Sequence, residues 1–205
     1  MDRAGPGIEH SMKKWVPISA SFAPVVPVGA WLLAQHKQAP GYSAVSQTIS
    51  VLAQPGANDR WIMTAGLFLL GSLQVLTAAG LTEAPVPARV LLGTGGTATA
   101  LTAVFPQPQP GHVIAAGAAF AAFALWPALA RLPDHRMGIV ASVLTVAALA
   151  WFVSQLAGGG YLGLSERVLA AGEALWPLVV VLSLRAADRP AIAPSRAPSR
   201  SPIRH

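Results

Sequence analysis

The chain has 205 residues, of which 53% are apolar and only 11% charged, with a mean hydropathy of +0.52. A soluble domain carries about 25% charged residues, and a single water-facing core of this size cannot bury so much apolar side chain, so an ordinary soluble domain is excluded and a bilayer is implied. The net charge of +6 sits at the ends of apolar runs and in the C-terminal tail, which leaves no basic surface for nucleic acid, and the absence of cysteine excludes disulfides and thiolate metal sites.

A bilayer core of about 30 Å takes roughly 20 apolar residues in a helix. Six runs meet or approach that length: Trp15–Gln35, Trp61–Gly80, Ala88–Phe105, His112–Ala130, Gly138–Ala157 and Arg167–Leu184. The expected fold is therefore all-α, an integral membrane bundle of about six transmembrane helices. Residues 1–14 form an N-terminal segment, 15–184 the bundle and 185–205 a basic tail. The first run follows Lys13 and Lys14, as a signal peptide would, but exceeds the usual apolar core of about 7–15 residues and is read as a retained helix. Pro24 and Pro27 lie inside it and remove backbone donors.

The loop after the first run, about His36 to Arg60, is the longest. In it Tyr42, Val45, Ile49 and Leu52 fall on one side at helical spacing, and Ser43, Ser46, Gln47 and Ser50 on the other. The pattern predicts a short amphipathic helix, punctuated by Gly41 and by Pro55-Gly56. It either lies on the membrane surface or tucks into the bundle mouth as a plug or a substrate-binding cap.

In the third run Gly93-Thr-Gly-Gly96 lacks the Lys-Ser or Lys-Thr of a phosphate loop and reads as a small-residue face for close helix packing. Ala124-Leu-Trp-Pro127 recurs as Ala174-Leu-Trp-Pro177, too short an echo to establish a repeat. Ser165 is placed as the N-cap of the last helix and Glu166 in its first turn, where an acid suits the helix dipole. Arg167 is expected to pair with Asp59 or Glu166, or to meet a lipid phosphate. The tail from Ala186 is rich in Pro, Ser, Ala and Arg and is expected to be disordered.

Orientation follows from the basic residues. With both termini inside, eleven lie on the cytoplasmic side, while Lys37, Arg60 and Arg167 lie outside; the excess predicts a cell-membrane protein with cytoplasmic termini.

Three motifs resemble the DUF998 family of prokaryotic polytopic membrane proteins of unknown function. They are Ser46-Gln-Thr-Ile-Ser50 followed by Leu52-Ala53, Phe105-Pro106 ahead of Gly111-His112, and Gly163-Leu-Ser-Glu-Arg167. The resemblance spans about Trp15 to Leu184 and implies about six transmembrane helices but no settled activity. Acids that often stand near the first motif and after the Phe-Pro in that family are replaced here by Ser43, Val51 and the neutral run Gln107-Pro-Gln-Pro110. A family metal or proton site built on those acids would be missing from this chain.

A charged side chain in hydrocarbon costs several kcal/mol, which makes an intramembrane acid a functional candidate. Glu173 is the one that qualifies, about 10 Å down the last helix from Glu166 at 1.5 Å per residue. His112 begins the fourth helix, and the two are a candidate acid–base couple or proton relay. The alternatives are an interfacial His112 and a Glu173 that only ties helices together. Ser50, His112 and Glu173 are thus the candidate catalytic residues, and Ser46, Gln47 and Arg167 the candidate substrate-binding ones. No metal and no cofactor is expected, since two ligands fall short of a zinc site.

Three function classes remain. The first is a structural, accessory or lipid-interacting bundle, with membrane lipid and a membrane protein as partners. The second is an enzyme acting on lipid at the outer face through Ser46 or Ser50, His112 and Glu173. The third is a small transporter, for which Glu173, Gln74 and Gln155 are a thin polar provision.

Overall fold

A computed structural model describes residues 12–187; the first three residues of the expected tail, Arg185 to Ala187, continue the last helix, and the rest of it, from residue 188 on, lies with the segment before Met12 outside the described residues. Six helices follow in order: α1 (Val16–His36), α2 (Trp61–Gly80), α3 (Val86–Val104), α4 (Pro110–Leu129), α5 (His135–Gln155) and α6 (Leu162–Ala187). Five of them are long and apolar enough to cross a membrane. The exception is α3, which has 19 residues and differs in composition rather than length, since glycine and threonine fill much of it.

Local sequence explains the helix ends. Pro17, Pro87 and Pro110 occupy first-turn positions of α1, α3 and α4, where a missing N–H costs nothing. Asp134 caps α5 by accepting from the Arg136 N–H at 3.0 Å. Gly158, at φ +102°, supplies the left-handed turn that ends the chain's run along α5.

Each helix packs on its neighbours in sequence, and α6 closes the ring against α1. Within the ring α6 also touches α2 and α4, so it presents a face to the interior. One apolar cluster gathers Val16, Leu81, Leu92, Phe123, Trp126 and Val180. A second gathers Trp31, Ile49, Leu52 and Met63 where the first loop meets the bundle. The outer surface is apolar as well: Ile114 is 75% exposed, Val113 72% and Leu144 65%. Such a surface is stable in hydrocarbon and not in water.

The α2–α3 contact is backbone on backbone. A Cβ on Gly96 would stand 2.7 Å from the Gly71 carbonyl oxygen, and one on Gly71 2.6 Å from the Ala100 nitrogen. The small-residue reading of Gly93–Gly96 therefore applies at Gly96, which permits this approach.

The loop of residues 37–60 differs from expectation. Its helix is confined to one 3-10 turn, Ser50–Ala53, and Tyr42–Ile49 does not complete the predicted amphipathic helix. The apolar spacing still finds its use, because Ile49 and Leu52 are buried. The carbonyls of Ala44 and Gln47 that an α-helix would use internally are turned instead toward α6.

Candidate functional site

The site is built where that loop meets the start of α6. This helix begins at Leu162, five residues before the predicted run. Ser165 is accordingly inside the helix and not its N-cap: its N–H reaches the Tyr161 carbonyl and its hydroxyl donates to the Leu162 carbonyl at 2.9 Å. Gly163 lies directly under the loop. A Cβ there would collide with the carbonyl oxygens of Gln47 and Ala44.

Arg167 takes up the contact one turn later. Its Nη1 donates to the carbonyls of Ala44 (2.8 Å), Gln47 (2.9 Å) and Gly163 (2.9 Å), and its Nη2 to the Tyr42 hydroxyl (2.6 Å). The guanidinium therefore spends itself on loop backbone rather than pairing with Asp59 or Glu166 as expected. Burial pushes the Tyr42 hydroxyl up from its ordinary range against the opposing pull of Arg167, so the phenol keeps its proton and serves Arg167 as a neutral acceptor. Beside it Glu166, 5% exposed, accepts the Ile49 N–H and, at 3.4 Å, the Ser50 hydroxyl. Two adjacent residues of α6 thus hold opposite sides of one loop.

Two cavities meet at this junction. The inner one, about 60 Å³, is lined by Ser50, Gln74, Thr99, Thr102, Glu166 and Glu173 among apolar neighbours. The other, about 190 Å³, is a crevice running along α4 and α5. Its mouth holds Thr48, Ser50, Gln107, His112 and Glu166 together with the apolar Val113 and Leu156, and deeper it is apolar, along Phe120, Leu149 and Phe152. Ser50 and Glu166 face both.

Of the candidate catalytic residues, Ser50 and His112 share the crevice, and Ser50 and Glu173 share the inner cavity. No hydrogen bond joins His112 to Glu173. The His112 Nδ1 bonds the Phe105 carbonyl at 2.9 Å. A carbonyl only accepts, so Nδ1 carries a proton, and in the neutral ring Nε2 keeps the lone pair. Glu173 is 3% exposed, and its Oε1 has no partner. Ser46 is exposed, and Gln47 meets α6 through its backbone carbonyl; neither lines the two cavities.

Sequence reasoning passed over Glu166 as a site residue and named Gln74 only within the thin polar provision for a transporter. The acid looked like a first-turn dipole residue because the helix was started too late. Gln74, 1% exposed with Oε1 unpartnered, carried the sequence signal of an amide in the middle of an apolar run. Among the described residues no group of three or more His, Asp or Glu side chains could hold a metal ion.

The three motifs of the sequence resolve into this one place. Ser46–Ala53 is the loop, Gly163–Arg167 is what clamps it, and Phe105 and His112 bond each other at the crevice's polar end. No curated protein and no solved structure matches the chain. A family model does, over residues 21–183, with the description "Protein of unknown function (DUF998)". That match takes in the loop, both cavities and all but the ends of the helical ring, and this multi-pass membrane protein belongs to the DUF998 family.

Proposed function

We propose that this chain is a lipid-interacting membrane bundle that holds one amphiphile in the crevice along α4 and α5. The carrying observation is the crevice's polarity gradient. Hydroxyl, imidazole and carboxyl groups of Ser50, His112 and Glu166 gather at one end, and apolar side chains line the rest. A hydroxyl or amine head fits the first and an acyl chain the second. A larger groove of about 620 Å³ lies between α3 and α4, but it has no charged residue to fix a head group. The distribution of Lys and Arg supports cytoplasmic termini in the cell membrane, which puts the crevice's polar end at the outer face.

Gly117 lines the crevice with nothing within 4 Å of a Cβ, so Gly117→Trp fills it without a clash at the backbone. Lipid extracted from the detergent-purified protein should contain one species enriched over the bulk membrane, and Gly117→Trp should lose that species while eluting as a folded protein. Equal lipid content in the two would sink the reading.

A second reading, an enzyme acting on that amphiphile, is favoured by the His112 tautomer. With Nδ1 held by Phe105, Nε2 is the basic nitrogen, and Ser50 in the same crevice is a nucleophile of the required class. Labelling of Ser50 by a fluorophosphonate probe, abolished in His112→Ala, is its test; an unlabelled wild type removes it.

A further inference from the structure

The inner cavity has a chemistry of its own, separate from the crevice. Its lining is richer in oxygen acceptors than in donors: the Ser50 hydroxyl is turned to Glu166, which leaves the Gln74 amide N–H groups to donate. Glu173 and Gln74, 3% and 1% exposed, each turn an Oε1 without a partner into the fold. The Thr99 hydroxyl gives its proton to the Gly95 carbonyl at 2.9 Å and Thr102 gives its own to the Thr99 carbonyl at 2.6 Å. Both hydroxyl oxygens are thereby left as acceptors.

An orphaned buried polar atom costs about 1–3 kcal/mol. A carboxylate far from water costs more. What settles such a set is positive charge between the oxygens. Glu166 is already engaged by Ile49 and Ser50, so Glu173 is the acid left for a ligand, and a singly charged cation exchanged for its proton leaves the net charge of the cavity unchanged. Oxygen-only ligation from carboxylate, amide and hydroxyl groups suits a hard cation. The volume of about 60 Å³ admits a small ion with a water, at roughly 30 Å³ of liquid volume per water. We infer that Gln74, Thr99, Thr102 and Glu173, which line this cavity, form a binding site for a small monovalent metal cation of the size of sodium.

The test uses the full-length protein in detergent and follows its melting temperature. Sodium chloride is titrated against choline chloride at constant ionic strength, because the methyl groups on choline's nitrogen keep oxygen ligands from the close approach they make to sodium. Binding to the folded state alone should raise the melting temperature with the logarithm of sodium above the dissociation constant, by about 5–10 degrees at about 100 times that constant. Glu173→Gln keeps the shape and removes the charge, and should abolish the sodium increment. If that variant does not fold, Thr102→Val, which keeps the side-chain volume and removes one acceptor, should weaken the apparent sodium affinity at least tenfold. A wild type that melts at the same temperature in sodium and choline overturns the site and identifies the cavity as one filled by water. So does a sodium increment that survives Glu173→Gln or Thr102→Val unchanged. Neither result touches the amphiphile reading, which is measured on Gly117→Trp.

Discussion

The first turns of α6 and its middle each bury a glutamate, and the two are treated in opposite ways. Glu166 meets a backbone N–H and a hydroxyl, with the Arg167 guanidinium on the neighbouring residue closing the other side of the same loop. Glu173, two turns further, meets no donor at Oε1. Seven residues place them on nearly the same face, so helix geometry does not separate them. What separates them is the chain opposite. The first faces an irregular loop, whose unspent N–H groups need acceptors. The second faces helices whose N–H groups are already used. A buried acid beside a loop reads as a fastener, and one among helices as a place for something that is not protein.

Substitutions can sharpen or break this contrast. The largest effect is expected from Arg167→Ala, which strips the Ala44 and Gln47 carbonyls and the Tyr42 hydroxyl of their donor at once; a loss of about 3 kcal/mol or more should appear in thermal melting, together with protease cleavage between residues 40 and 50. Arg167→Lys should recover part of it, because one ammonium cannot span the fork's four acceptors. Glu166→Ala orphans the buried Ile49 N–H and should cost about 2 kcal/mol, with Glu166→Gln retaining most of the stability since an amide oxygen still accepts. By contrast Glu173→Gln, melted in choline chloride, should not lower stability and should raise it by about 1 kcal/mol or more, since it removes a buried carboxylate that lacks a partner; a loss as large as that of Glu166→Ala would erase the distinction between the two acids. The smallest effect belongs to Gly172→Ala, next to Glu173, where a Cβ meets nothing within 4 Å. There the gain in helix propensity should stabilise the protein by up to about 1 kcal/mol.

The helices were legible because a bilayer-length apolar run is a long signal, and most of the predicted spans match the observed helices to within a few residues. The start of α6 was missed by five residues because Gly163 and Ser165 resemble helix-boundary residues. In the fold the glycine is there for the loop's approach, and the serine hydroxyl bonds back to Leu162. The amphipathic pattern of Tyr42–Ala53 named the buried Ile49 and Leu52 correctly. It missed the backbone path, because period counting does not see an arginine more than a hundred residues away drawing carbonyls out of a helix. For the same reason Glu166 was passed over, since its role exists only once Ile49 lies opposite it.

The α2–α3 contact bears on how the protein is made. A helix as rich in glycine and threonine as α3 gains little by leaving the translocon for lipid alone. Its glycine face instead fits the backbone of α2 at Gly71 and Gly96, and Arg89 near its start ties back to the carbonyls of Ala78 and Ala79 at the end of α2. Because α2 is synthesised first, its grooved surface is waiting when α3 emerges, and the turn of residues 81–85 keeps the two within reach. The hairpin, rather than the single helix, is then the unit of insertion. A change at Gly71 or Gly96 would register first as a topology defect, with α3 left on the wrong side of the membrane, before it registered as a loss of stability.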